Sequence, residues 1–132
     1  MNRTNSGVAL VTGASSGIGH ATAKVLQQSG FRVFGTSRRV VAEFSDGITM
    51  LACDVTDDAS VATLVEDVLA KAGRIDLLVN NAGIGLLGAA EESSTTQAQA
   101  LFDVNVFGVI RVTNAVLPVM RRQTSLEYLP WS

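Results

Sequence analysis

The sequence predicts an α/β fold, a doubly wound parallel sheet, and three observations carry that reading. Short apolar runs alternate with longer stretches of helical spacing, as in successive βαβ units. The first run, Gly7-Val8-Ala9-Leu10-Val11, passes through a glycine-rich turn straight into a helix-like stretch. The mixed run Ile75–Val79 has the composition of a strand covered on both faces. At 132 residues, 47% of them apolar, the chain is long enough for one domain spanning 1–132 with a substantial core.

The elements follow in order. The first strand is expected over Val8–Val11. The first helix starts near Gly17 and is expected to bury Ile18, Ala21, Val25 and Leu26 along one face, with Lys24, Gln27 and Gln28 toward water and Gly30 just past its end. Strands follow at Arg32–Thr36 and Ile48–Cys53. Thr56-Asp57-Asp58 reads as a helix start: Thr56 supplies the capping hydroxyl, and the two acids sit at the positive end of the dipole. That helix carries Val61, Leu64, Val65, Val68 and Leu69 on one stripe and ends at Gly73, ahead of the fourth strand, Ile75–Val79.

Gly83 to Thr95 reads as a loop with some helix. A long helix is then expected from about Thr96 to Arg122, bent near its end by Pro118. It is apolar on more than one face and needs two surfaces to bury against, the sheet and a second subunit. Right-handed crossovers give the strand order 3-2-1-4, with a reversal between the third and fourth strands. The crevice this creates lies at the carboxyl ends of the first and fourth strands.

Composition narrows the function classes. The formal charge is −2, and the only adjacent basic pairs are Arg38-Arg39 and Arg121-Arg122, so nothing argues for nucleic acid or an anionic membrane. Cys53 is the sole cysteine and His20 the sole histidine, too few ligands for a zinc-type metal site. Cys53 reads as a small buried side chain in a reducing compartment. The apolar stretch Val104–Met120 is interrupted by Asn105, Arg111 and Asn114, so no bilayer span is expected and the cytoplasm is the default location.

The turn Thr12-Gly13-Ala14-Ser15-Ser16-Gly17-Ile18-Gly19 has the makings of a phosphate cradle. Gly13 allows a sharp turn out of the strand, Gly17 lets backbone approach a pyrophosphate, and Gly19 keeps the helix close to the sheet. The helix start offers free N–H groups to the anion, with Ser15, Ser16 and Ile18 beside it. After the second strand comes Ser37-Arg38-Arg39, where a carboxylate would select NAD. A hydroxyl and two guanidinium groups favour the 2′-phosphate of NADP instead, unless this is simply a solvated basic turn. Asp54 can accept from the adenine amine with Val55 packed near the base, or serve as a turn residue. After the fourth strand, Asn80 and Asn81 can tie neighbouring strands while Ala82 and Gly83 leave room for a ribose. Asn105 interrupts an apolar helix, where a buried amide needs partners, whether in a site or at a helix–helix contact.

Together these residues resemble the short-chain dehydrogenase/reductase family. The resemblance runs from Val8 to about Arg122 through Thr12-Gly13-x-x-x-Gly17-x-Gly19, Asp54, Asn80-Asn81-Ala82-Gly83 and Asn105, in the family's order. It implies a Rossmann-type sheet, an NAD(P) cofactor with NADP(H) preferred here over NAD(H), and hydride transfer between nicotinamide and an alcohol or carbonyl substrate. It also implies a homo-oligomer built through the 96–122 helix. Asn105 matches the asparagine of the family's catalytic set. The family's serine and its Tyr-x-x-x-Lys pair have no counterpart: Tyr128 is followed four positions on by Ser132, and the only lysines are Lys24 and Lys71. The tail 123–132 does not resemble the family's turn into a fifth strand. The chain is therefore expected to be a truncated, cofactor-binding half without turnover of its own, the alternative being a non-catalytic nucleotide-binding or dimerisation module.

Overall fold

The computed structural model describes residues 7–39, 47–82 and 95–124. Four parallel strands, β1 (Val8–Val11), β2 (Arg32–Ser37), β3 (Thr49–Ala52) and β4 (Leu77–Val79), form a sheet in the order β3-β2-β1-β4. This is the expected order, and the reversal falls between β3 and β4. Register runs Val8 opposite Arg32 and Ala9 opposite Leu77 on the two flanks of β1.

Side chains alternate across β1 and β2. Val8, Leu10 and Phe34 enter one core with Val61, Leu64, Val65 and Val68 of α2 (Asp58–Ala72) and Val112, Val116 and Val119 of α4 (Gly108–Thr124). Ala9, Val11 and Val33 enter a smaller one with Ala14 and with Ala23 of α1 (Gly17–Gln28). Helices thus cover both faces of the sheet.

Several local expectations are corrected. The buried residues of α1 are Gly19 and Ala23, whereas Ile18 is 78% and Val25 60% exposed and Ala21 is also exposed. Small residues let this helix lie close to the sheet, so its contact face is marked by missing bulk. At α2 the cap is Asp57, whose side chain accepts from the Ala59 amide; the Thr56 hydroxyl instead donates to Asp54 Oδ1 at 2.7 Å. Gly73, in the left-handed conformation, closes α2 as expected. β4 is only half-buried and lies at the sheet edge among the described residues, which departs from a strand covered on both faces. Ile75, ahead of it, is fully buried.

The expected long helix is two α-helices, α3 (Thr95–Phe102) and α4, joined through a π-helical turn at Asp103–Phe107. Pro118 lies inside α4, which runs on to Thr124. Gln123, assigned from sequence to an atypical tail, belongs to α4. Its side chain accepts from the Ile75 amide at 2.7 Å and donates to the Ile75 carbonyl at 2.8 Å. By length and composition Asp103–Gln123 could cross a membrane. In this fold one face of it enters the core, where Val112 and Val116 are fully buried in the cluster that holds Val8, Leu10 and Phe34, while Val106, Phe107, Ile110 and Leu117 are exposed. Gly83, the rest of the 83–94 segment and Tyr128 lie outside the described residues.

Candidate functional site

The carboxyl ends of β1 and β4 meet through one hydroxyl. Thr12, 1% exposed, accepts from the Asn81 and Ala82 amides, each at 2.9 Å, and its own amide donates to the Val79 carbonyl. The Asn81 side chain donates to the Gly13 carbonyl at 3.0 Å, so the glycine turn and Asn80-Asn81-Ala82 share one end of the sheet. On the other flank, Thr36 accepts from the Gly13 amide through its hydroxyl and from the Ala14 amide through its carbonyl. Sequence reasoning did not single out Thr36. Its signal was a buried hydroxyl residue ending an apolar strand beside the turn. Asn80 reaches α4, donating to the Thr113 hydroxyl at 3.1 Å.

Two of the three glycines are required by close approach. Gly13 has φ +66°, and a Cβ there would lie 2.8 Å from the Ala82 Cα. At Gly19 a Cβ would lie 2.0 Å from the Gly13 carbonyl oxygen and 2.4 Å from Asn81 Nδ2. A Cβ at Gly17 would instead meet open space, and it is the left-handed backbone, φ +62°, that favours glycine there. The cap residue of α1, Ser16, makes no side-chain bond to the helix, and Ser15, Ser16, Gly17 and Ile18 are all exposed. The N–H groups of that first turn therefore have no side-chain cap, and they lie at the positive end of the helix dipole, next in sequence to the cleft-lining Ser15 and Ser16; Gly17, Ile18 and Gly19 do not themselves line the cleft.

That cleft has a volume of about 430 Å3, within the range of small-molecule sites. It is lined by the turn after β1 (Gly13, Ser15, Ser16), the end of β2 and the residues beyond it (Thr36 to Arg39), Cys53 to Val55 after β3, Asn81 and Ala82 after β4, and Val104. Of the sequence-derived cofactor residues, Gly13, Ser15, Ser16, Ser37, Arg38, Asp54, Val55, Asn81 and Ala82 line this one space. The Ser37 hydroxyl donates to the Arg39 carbonyl, leaving its lone pairs as acceptors. Arg38 and Arg39 are both exposed.

Two bonds from Thr56, one from its hydroxyl and one from its amide, hold the Asp54 carboxyl below the usual carboxylate range, helped by Arg38 and Arg111. Asp54 thus serves as a turn residue, the second of its two readings, and it also lines the cleft. Burial pushes the Cys53 thiol up, against a bond from Ser60, which keeps it protonated and inert. Asn105, expected to be buried, is exposed within the π-helical turn. It does not line the cleft.

A family model for short chain dehydrogenases matches residues 7–125. The chain belongs to the short chain dehydrogenase family. A 3-ketodihydrosphingosine reductase of Bacteroides thetaiotaomicron is 43% identical over 115 residues, 87% of this chain and 42% of that protein. A serine 3-dehydrogenase of Agrobacterium fabrum is 34% identical, covering 92% of this chain and 51% of its own length. Among solved structures, the ligand-free aldohexose dehydrogenase of Thermoplasma acidophilum superposes with a TM-score of 0.81 at 34% identity. It covers 90% of this chain, which in turn spans 46% of that structure. A short-chain dehydrogenase of Streptomyces avermitilis gives 0.79 at 44% identity, with coverages of 89% and 46%. This member of the short chain dehydrogenase family spans about half the length of the relatives it matches. The family is one of oxidoreductases, with NAD(P) as its cofactor.

Proposed function

We propose that this chain is the cofactor-binding part of an oxidoreductase that prefers NADP(H) to NAD(H), acting with an alcohol or carbonyl substrate. The observation that carries the preference is the lining of the cleft: Ser37, Arg38 and Arg39 share it with Ser15, and no carboxylate stands at the end of β2. The open first turn of α1, with Gly17, Ile18 and Gly19, fits a pyrophosphate. Asp54 and Val55 fit an adenine, and Asn81, Ala82 and Gly83 a ribose. When bound, the nicotinamide supplies hydride transfer; the residues here bind and orient it.

Catalysis is assigned to a chain that also supplies the family's serine and Tyr-x-x-x-Lys pair, because these 132 residues contain no such pair. Asn105 is the one residue here that corresponds to the family's catalytic set. A tyrosine acts as proton donor near neutral pH only when a nearby cation lowers its pKa, and Tyr128 has no lysine at that spacing. Cytoplasmic placement and a single domain over 1–132 belong to the same reading. Phe102, Val106, Phe107, Ile110 and Leu117 expose apolar surface along the helical segment, which supports a homo-oligomer formed there and favours the dimerisation module as the second reading.

Titration of the purified chain with NADPH and NADH tests the cofactor assignment. One charge-assisted pair on a phosphate contributes about 1.5–3 kcal/mol, so NADPH is expected to bind at least about tenfold more tightly. Arg38→Ala should erase most of that difference while leaving NADH affinity unchanged. Equal affinities in the starting protein, or an unaltered preference in the variant, would remove the assignment.

A further inference from the structure

Arg111 entered the sequence reading only as a charge interrupting an apolar helix, yet its guanidinium joins three segments. Nε donates to Asp58 Oδ1 at 2.6 Å, at the start of α2. Nη1 donates to the Val55 carbonyl at 2.8 Å and lies 3.5 Å from Asp103 Oδ1 in the π-helical turn. The side chain is 24% exposed, so these contacts are partly withdrawn from water. One turn earlier on the same helix, a Cβ at Gly108 would fall 2.7 Å from Val55 Cγ2, so this face of the helix bears directly on Val55.

Val55 and Val104 both line the cleft. One is held by its own carbonyl, and the other adjoins Asp103. We infer that Arg111 is a positioning residue of the cofactor site: it fixes the Asp54–Val55 wall against the Asp103–Val104 wall, and so sets the apolar slot that takes the adenine. This rests on the cofactor reading above. A planar guanidinium reaches a carbonyl and two carboxylates from separate nitrogens in a fixed fork, where an ammonium must serve all three from a single nitrogen. The residue touches no reacting atom; it acts through the two walls that do touch the base.

The test compares Arg111→Met, which keeps the apolar stem, and Arg111→Lys with the starting chain, using NADPH and inorganic pyrophosphate as ligands. Amide exchange is followed without ligand. Arg111→Met is expected to weaken NADPH about tenfold or more, an effect of one lost charge-assisted contact, while pyrophosphate affinity stays within about twofold. Exchange at the Asp57 amide, which bonds to the Asp54 carbonyl at 3.1 Å, should accelerate while the β1 amides keep their protection. Arg111→Lys should fall between the two. Parallel loss of NADPH and pyrophosphate would mean general damage and overturn the inference. So would unchanged exchange, or faster exchange with NADPH affinity intact. A starting chain that binds no dinucleotide would sink the cofactor reading itself, and that result appears before any substitution is made.

Discussion

β1 is tied to β4 at both ends, and the two ties differ in chemistry. At the amino end a carboxylate makes the tie: Asp76 accepts from the Val8 amide at 2.8 Å, its own amide donates to the Val8 carbonyl, and Arg74 clasps it through Nε and Nη2. At the carboxyl end the tie is neutral, made by the Thr12 hydroxyl and the Asn81 amide group. A carboxylate in place of Thr12 would bond the same N–H groups. It would also set a negative charge beside the open start of α1, where the dipole favours an anion. The tie beside the cleft is therefore neutral, and the charged side chains lining that cleft are Arg38, Arg39 and Asp54.

The largest effect that could break this comparison comes from Gly19→Ala. The added methyl would lie 2.0 Å from the Gly13 carbonyl oxygen, and backbone cannot yield as a flexible side chain can. Overpacking of this kind costs about 1–3 kcal/mol or more. The loss should concentrate at the carboxyl end: dinucleotide affinity falls by at least about a hundredfold, on the order of 2.7 kcal/mol, while the Val8 amide keeps its exchange protection. A variant that binds NADPH normally would show that the α1–turn contact is dispensable.

Thr12→Val comes next. It preserves shape but strips the acceptor from two amides that are largely shielded from water. Leaving such donors unpaired costs about 1–3 kcal/mol, and a neutral group gives that loss no pH dependence between about pH 3 and 8. Denaturant titrations at several pH values check this. A destabilisation that grows or fades with pH across that window would contradict the neutral character of this tie.

The strand order was legible because crossover handedness leaves few arrangements for such a chain, and the glycine turn and Asn81 were legible because their spacing reflects backbone geometry. Contacts made by absent side chains were legible only in part: Gly19 was read as keeping the helix close to the sheet, and Ala23 was missed. Ile18 and Val25 carry the helical hydrophobic signal of α1, yet Gly19 and Ala23 make the contact, since only small residues let the helix approach. Competing local bonds misled at Thr56, whose hydroxyl turns back to Asp54 and leaves the cap to Asp57. Arg111 and Gln123 looked like an interruption and a tail; their partners, Val55, Asp58 and Ile75, are 48 to 56 positions away in sequence, beyond any local pattern. Asn105 is exposed within the π-helical turn, an element that no apolar period announces in the sequence.

The smallest effect sharpens the comparison from the charged side. Arg74, clasped to Asp76, holds that carboxyl below the usual carboxylate range, with the Val8 amide adding to the shift. Its stabilising contribution is then complete above the unfolded-state pKa of about 3.9 and is lost as pH falls through the lower folded value. Asp76→Asn keeps an oxygen for the Val8 amide, removes the charge and replaces the oxygen that accepts from Arg74 Nη2 with a donor. Arg74 is 56% exposed, so the pair is screened and the loss near neutrality should not exceed about 1 kcal/mol. The gap between the two proteins should be constant above about pH 5 and close as the solution is acidified below about pH 4. NADPH affinity should not change, because this tie lies at the opposite end of β1 from the cleft. A gap that persists undiminished to pH 2, or a variant with weakened cofactor binding, would mean that the two ends of β1 are not separate in the way their chemistry indicates.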